Sequence, residues 1–531
     1  MEKMLGTMID CSRNAVMTVE SVKKYAKIIK KMGYNTLMLY TEDTYEVDNN
    51  PYFGHLRGRY SKEEIRQIDT FCKDIGIELV PCIQTLAHLE NMFKWASEYN
   101  DVNDCDNILL AGEEKTYKLI EAMISSVSQC FTSKKIHIGM DEAHRVGTGK
   151  YQNIHGIEDR FDIINKHLHR VCSITEKYGL EPMIWSDMFC KLAMNIESQY
   201  VFGEEDTAKI LEKGSLPENI SLVYWDYYST DYKHYVNQIK TNKIFNRKVY
   251  FAGGAVTWHG FAPDNSISIK ATDAAVRACN DCGIDGIFIT EWGDDGGECS
   301  LFAVLPALLY AAEAVKGNTD MDSIKAKFKD IVGCDFDSFM LLDKFDKPEE
   351  TYTDNPSKYL FYNDLFMGIR DCLCPKGAGE FYEKLAEEIC DIENKGDFCE
   401  MFDSYEKLAN VLAVKAELGI KTREAYLKKD ISALKDIIKE YDILIERLNE
   451  FHEAYQKRWF SENKPHGFDV QDIRIGGTLQ RALSCRKRLI KLVEGEISEI
   501  PELDEPVLDK INNKFNCSGG WERMVTANAL Y

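Results

Sequence analysis

The chain has 531 residues, 44% apolar and 29% charged, a balance that excludes a disordered, collagen-like or coiled-coil protein. Its 65 Lys and Arg against 87 Asp and Glu leave a net charge of −22, which repels a nucleic-acid backbone. No apolar run reaches the ~18 residues of a membrane span, the start MEKMLGTMIDCSR lacks a secretory h-region, and 17 dispersed cysteines fit buried thiols in a reducing cytoplasm better than a disulfide framework.

Roughly 150 residues per domain would give two to four domains, although an α/β barrel alone fills about 250. Up to about residue 315, near-continuous apolar runs alternate with helical patterns. The runs that read as strands are TMIDCS (7–12), NTLMLY (35–40), IELVPCI (77–83), KIHIGM (135–140), PMIWSD (182–187), SLVYWD (221–226), VYFAGG (249–254) and GIFITEW (286–292). Strands buried on both faces have this composition. The first crossover helix starts at the N-cap Thr18 and stops at Gly33; the second starts at Ser61, with Glu64 completing a capping box, and stops at Gly76. The crossover between the fifth and sixth strands has the least regular pattern. Eight strand–helix units predict an α/β fold, a (β/α)8 TIM barrel over residues 1–318. After about residue 320 no strand-like run remains, and apolar residues recur at i, i+3, i+4 and i+7, so residues 319–531 read as an all-α C-terminal domain. That domain is expected to buttress the barrel or a dimer interface and to supply no catalytic group.

Barrel active sites sit where strands end. The strand ends here carry Asp10 and Arg13, Glu42 and Asp43, Gln84 and His88, Asp141 and Glu142, Trp185 and Asp187, Trp225 with Tyr227 and Tyr228, Trp258, and Glu291 with Trp292, Asp294 and Asp295. Four of the seven tryptophans thus meet at one rim, where flat indoles suit the apolar face of a sugar and carboxylates suit its hydroxyls. Adjacent strand residues point to opposite faces. Asp141 and Glu142 can therefore face one ligand only if the strand ends between them. Arg13 reads either as a counter-ion to the rim acids or as a fork for hydroxyls. His137 and His144 flank Asp141, but the first strand has no His-x-His of the kind metal-dependent barrel hydrolases use, so no metal and no cofactor are expected. The pairs Gly253-Gly254 and Gly296-Gly297 form neither GxGxxG nor GxxxxGK and read as tight turns or close backbone approaches.

At this point the motifs match a known family. HIGMDE resembles the H-x-G-x-D-E hallmark of family 20 glycoside hydrolases, the β-N-acetylhexosaminidases; MIDCSR, QTLAHL and FITEWGDDGG resemble their first-, third- and last-strand motifs. The likeness covers about residues 5–315. It is nearest to short bacterial N-acetyl-β-glucosaminidases that begin at the barrel and carry a helical C-terminal domain, whose tail WFSENKPHGFDVQDIRIGG also resembles. Met140 stands where many members have Gly, and no room is seen for the small α/β domain that many carry before the barrel. Trp258-His259 stands where the acetamide-gripping tyrosine usually lies, so that role passes to Tyr227 or Tyr228.

The resemblance implies an exo-acting enzyme that cleaves terminal β-linked GlcNAc, or GalNAc, with retention through an oxazolinium formed by the substrate's own acetamide. Glu142 would be the general acid, Asp141 would orient the acetamide, and Tyr227 would polarise its carbonyl. Trp185, Trp225, Trp258, Trp292 and Tyr228 would wall the sugar, Arg13 and Asp294 would hold hydroxyls, and His88 would support the acid pair. The implied partner is a small glycan or amino-sugar glycoside; a homodimer stays open. Two rivals remain: a retaining glycosidase with a protein carboxylate nucleophile such as Glu291, and an inactive sugar-binding barrel.

Overall fold

A computed structural model of the chain describes residues 3–194, 211–348, 355–507, 520–526 and 528. Eight parallel strands close a barrel in sequential order: β1 (Met4–Asp10), β2 (Thr36–Tyr40), β3 (Glu78–Cys82), β4 (Lys135–His137), β5 (Glu181–Trp185), β6 (Ser221–Trp225), β7 (Val249–Gly254) and β8 (Gly286–Glu291). Each overlaps one of the runs read as strands, although β1 starts three residues earlier and β4 stops three residues sooner. The register pairs Asp10 with Tyr40, Tyr40 with Cys82 and Cys82 with His137, and sets Ile9 beside Glu291. Part of the irregular crossover between β5 and β6 lies outside the described residues.

The period-2 alternation of a strand sorts side chains into two cores. Met8, Met38, Val80, Met183, Val223 and Phe288 fill the barrel interior, with Trp185, Tyr227 and Trp292 stacked above them. The alternate residues, such as Ile9, Leu39, Ile184 and Ile289, face the surrounding helices. The crossover helices α1 (Val19–Met32) and α2 (Lys62–Asp74) have the expected caps: Thr18 accepts from Ser21 N–H, and Ser61 with Glu64 forms a complete capping box.

The barrel's last helix ends at Val315 and the next begins at Met321. The remaining elements are helical, dominated by α3 (Cys399–Leu427), α4 (Ile431–Glu462) and α5 (Phe468–Val493), joined by short connections that make antiparallel neighbours. One continuous apolar cluster runs from the outer face of the barrel into these helices. Backbone bonds cross the same boundary: Thr18 N–H donates to Glu462 O at 3.1 Å and Lys464 N–H to Val16 O at 2.7 Å. All the cysteines among the described residues are free thiols, including the close pairs Cys279/Cys282 and Cys372/Cys374. Among the described residues no helix is long and apolar enough to cross a membrane.

The Ser61 cap makes a local test. Ser61→Ala leaves Glu64 N–H without its acceptor and should cost about 1 kcal/mol. The expected result is an earlier urea midpoint with unchanged slope; a midpoint equal to that of the parent would mean the cap contributes nothing here.

Candidate active site

At the carboxyl end of the strands lies a cavity of about 390 Å³. Its lining brings together the eleven side chains that the family resemblance implies for catalysis and sugar binding: Asp141, Glu142, Tyr227, Arg13, His88, Trp185, Trp225, Tyr228, Trp258, Trp292 and Asp294. The acid pair reaches it because β4 is short. The apolar run suggests a strand to residue 140, but β4 stops at His137, and Gly139, Met140 and Glu142 take positive φ of 70°, 73° and 50°. That break in the alternation turns both carboxylates to one side. A Cβ on Gly139 would lie 2.0 Å from the Gln84 amide oxygen, so the hallmark glycine makes room for Gln84.

Gln84 is a junction. Its oxygen accepts from Met140 N–H at 3.1 Å, and its amide donates to Asp141 Oδ1 at 2.8 Å and to Tyr40 Oη at 2.9 Å. His88 Nε2 lies 3.2 Å from the other Asp141 oxygen and 3.6 Å from Glu142 Oε2. Burial works against the Asp141 charge, but the His88 charge and the hydrogen bonds from His88 and Gln84 outweigh it and hold the carboxyl down to about 2. Burial equally opposes the His88 cation, and Asp141 overrides it, lifting the imidazole to about 9. Glu142 moves the other way: burial and then the Asp141 charge raise it, with His88 and Arg13 pulling back. One wall therefore presents an ionised acid next to one biased toward the protonated form.

Opposite stands a polar corner. Arg13 is 2.8 Å from Asp10, 3.3 Å from Glu42 and 3.6 Å from Asp294, and its guanidinium lies over the rings of Tyr40 and Trp292. Asp10 is fully engaged by Ser12, Arg13 and Gly293 N–H, whereas the Asp294 side chain is 48% exposed to the cavity. The aromatic side is linked by indole donors: Trp292 Nε1 to Tyr227 Oη at 3.0 Å, and Trp258 Nε1 to Tyr228 Oη at 2.8 Å. Trp225 stacks on Tyr227 at 5.2 Å. A Cβ at Gly254 would come within 2.7 Å of Trp258 and 2.9 Å of Tyr227, which is the close approach expected of that glycine pair.

Three groups at strand ends matter more than the sequence reading gave them credit for. Gln84 fixes Asp141. Glu42 bonds Tyr40 and Arg13, and burial lifts it to about 7 with Arg13 opposing. Asp187 accepts from Glu142 N–H at 3.4 Å; burial, then the charges of Asp141 and Glu142, push it up to about 7. Glu291 stays out of the cavity. It is fully buried on the helix side of β8, bonded to Tyr25 of α1 and raised well above the carboxylate range by burial. It cannot attack a sugar from there.

A TIM barrel with two adjacent carboxyls shifted in opposite directions, set against tryptophan walls and a charged corner, has the makings of a glycoside hydrolase. The profile described as "Glycosyl hydrolase family 20, catalytic domain" matches residues 4–280, and that of the "Glycoside Hydrolase 20C C-terminal domain" matches residues 337–518. The chain belongs to glycoside hydrolase family 20, as its motifs suggested. It is similar to Hexosaminidase D of Bos taurus, 25% identical over 213 residues (38% of this chain, 56% of that protein), and of Homo sapiens, 24% identical over 229 residues (40% and 43%). The match thus spans little more than half of one relative and less than half of the other. Among solved structures it is similar to a beta-N-acetylhexosaminidase from Bacteroides fragilis, with TM-score 0.48 and 21% identity over 62% of this chain and 70% of that one.

The ion pair makes a titration test. His88→Asn removes the charge that lowers both acids. Both Asp141 and Glu142 should then titrate at higher pH, Asp141 by the larger step. Carboxyl-labelled NMR reads this directly; a downward or absent shift of Asp141 would contradict the ion pair.

Proposed function

We propose that the protein is an exo-acting β-N-acetylhexosaminidase that releases terminal β-linked GlcNAc or GalNAc with retention, the substrate's acetamide oxygen serving as nucleophile. The observation that carries this reading is the acid pair on one cavity wall. Glu142, raised by burial and by Asp141, donates its proton to the leaving oxygen and later takes one from water. Asp141, held ionised by His88 and Gln84, accepts the acetamide N–H and stabilises the positive charge that develops as the oxygen closes on the anomeric carbon. Tyr227, its oxygen fixed by Trp292, donates to the acetamide carbonyl. Trp185, Trp225 and Trp292 cover the ring and the methyl group. Arg13 and Asp294 hold hydroxyls of the terminal sugar, and Trp258 with Tyr228 forms the outer edge. His88 holds Asp141 ionised, while burial and the Asp141 charge raise Glu142 against its pull.

Family membership supports the reaction type, and the burial of Glu291 under α1 favours substrate assistance over that carboxylate as nucleophile. The steps call on no metal or cofactor. The substrate is a small glycan or amino-sugar glycoside, cleaved in a catalytic barrel of residues 1–318 that residues 319–531 support. The many free thiols suit a cytoplasmic location.

Glu142→Gln keeps the shape and loses the proton. The expected loss is ~10²–10⁴-fold on a poorly leaving alcohol, and much less on a 4-nitrophenyl glycoside, which departs without help. Equal losses on both would remove Glu142 from the acid role.

Asp141→Asn tests the assisted step. Holding a nucleophile against the reacting carbon is worth up to ~7–11 kcal/mol in well-oriented systems, and Asp141 both holds the acetamide and answers its charge. kcat should fall far more than KM changes, and a thiazoline mimic of the cyclic intermediate should inhibit the parent strongly and the variant weakly. Equal inhibition of the two, or hydrolysis of plain 4-nitrophenyl β-glucoside by the parent, would overturn the mechanism.

A further inference from the structure

The turn that follows β8 carries Asp294 on its inner side, and its outer side is held by the helices of the C-terminal region. Asp295, Gly296 and Gly297 all take positive φ, 57°, 122° and 64°, a path that the two glycines adopt without strain and that bonds to neighbouring elements hold in one place. The surroundings are specific. Asp295 turns away from the cavity and meets Lys358 Nζ at 2.7 Å and Arg474 Nη2 at 3.3 Å, and Trp521 N–H donates to it at 3.2 Å. Arg474 Nη1 also donates to the Asp295 carbonyl at 2.6 Å, and Gln471 to the Gly296 carbonyl at 3.0 Å. Glu298, wholly buried, takes Lys358 at 2.7 Å, Arg474 at 3.0 Å and the Tyr362 hydroxyl at 3.0 Å. A Cβ on Gly296 would sit 2.5 Å from the Arg474 guanidinium.

Two acids of the barrel turn and two cations of the helical region thus form a charge-balanced quartet. Lys358 is 2% exposed and Arg474 6%, so neither charge is there for solvent. On the inner side the same turn is tied by Gly293 N–H to Asp10, and through Asp10 to Arg13. Asp294 lies between the two ties, 3.6 Å from Arg13.

We infer that Lys358 and Arg474 are positioning residues for Asp294, so that the helical region sets how the cavity distinguishes hydroxyl configurations of the terminal sugar. They touch no substrate; they act by fixing the turn. The inference rests on the proposed reading in one respect, that Asp294 binds a sugar hydroxyl.

The test uses the full-length chain and two kinds of variant. Arg474→Met removes one cation and leaves an acid unpaired, which can cost folding. The double variant Lys358→Met with Asp295→Asn removes one charge of each sign and keeps the quartet balanced. Two readouts are taken: hydrogen exchange of the backbone amides of residues 293–298, and the ratio of kcat/KM for the 4-nitrophenyl glycosides of GlcNAc and GalNAc. In the parent the Gly296 and Gly297 amides are bonded to Gly293 O and should exchange slowly. In the variants they should exchange faster while the β1–β7 amides do not. The GlcNAc:GalNAc ratio should move toward one by about tenfold, the size of one lost hydrogen bond to a charged group, chiefly through KM. Arg474→Lys, which keeps the charge, should recover part of both effects. Unchanged exchange in the turn, or an unchanged ratio in a folded double variant with a looser turn, would overturn the inference. A parent that cleaves neither glycoside would refute the proposed activity instead, and the exchange readout would still decide whether these cations hold the turn.

Discussion

A carboxylate closed off from water stays ionised only where a positive charge and hydrogen-bond donors replace its hydration. At Asp141 these are His88, at 3.2 Å, and the Gln84 amide, at 2.8 Å. Much of the site follows from that one charge. It raises Glu142 and Asp187, its neighbours along the wall, and it keeps His88 a cation. Without it, Glu142 would lose one of the two influences that bias it toward the protonated form. The hallmark glycine serves the same end, since Gly139 clears the space in which the Gln84 amide meets Asp141.

The strands were legible because a barrel strand is buried on both faces and reads as a short unbroken apolar run. The caps were legible because Thr18, Ser61 and Glu64 do their work within three residues of their own position. The eleven cavity residues were found for a similar reason: a barrel brings every strand end to one rim, so listing strand ends amounts to listing neighbours. The end of β4 was not legible, because the apolar run continues through residues whose backbone turns left-handed. Nor was the weight of Gln84 or Asp187. Each stood at a strand end, but an amide or a third acid gains its meaning from the distance to Asp141, which periodicity does not contain. Glu291 shows the converse. It ends β8 inside an acidic, aromatic motif, yet the pleat aims it at Tyr25 on α1.

The least legible feature is the grip of the helical region on the β8 turn. Lys358 and Arg474 stand 63 and 179 residues beyond Asp295 in the chain, in helices whose sequence pattern speaks only of amphipathic packing. A buried ion pair is weak evidence for stability, because desolvation offsets much of its attraction, while breaking one by removing a single partner costs about 3–5 kcal/mol. Such a quartet is better understood as a constraint on geometry. An apolar interface could slide by a fraction of an ångström at small cost. Two acids shared between two cations, with the Asp295 carbonyl bonded to the same guanidinium and the Gly296 carbonyl to Gln471, cannot.

This bears on why an all-α region accompanies the barrel. Several loops at the cavity end touch the helical region, among them those after β1, β2 and β7, which bond Lys464, Asn355 and Tyr405. The loop after β8 is bonded within itself through Gly293 O and to Asp10, and it also receives donors from Lys358, Arg474, Gln471 and Trp521 of the helical region. Among the described residues every side chain lining the cavity belongs to the barrel. On the inference drawn above, the contribution of the helical region is the placement of the Asp294 carboxylate, and a group that binds a hydroxyl loses directionality when it is displaced by even a fraction of a hydrogen-bond length.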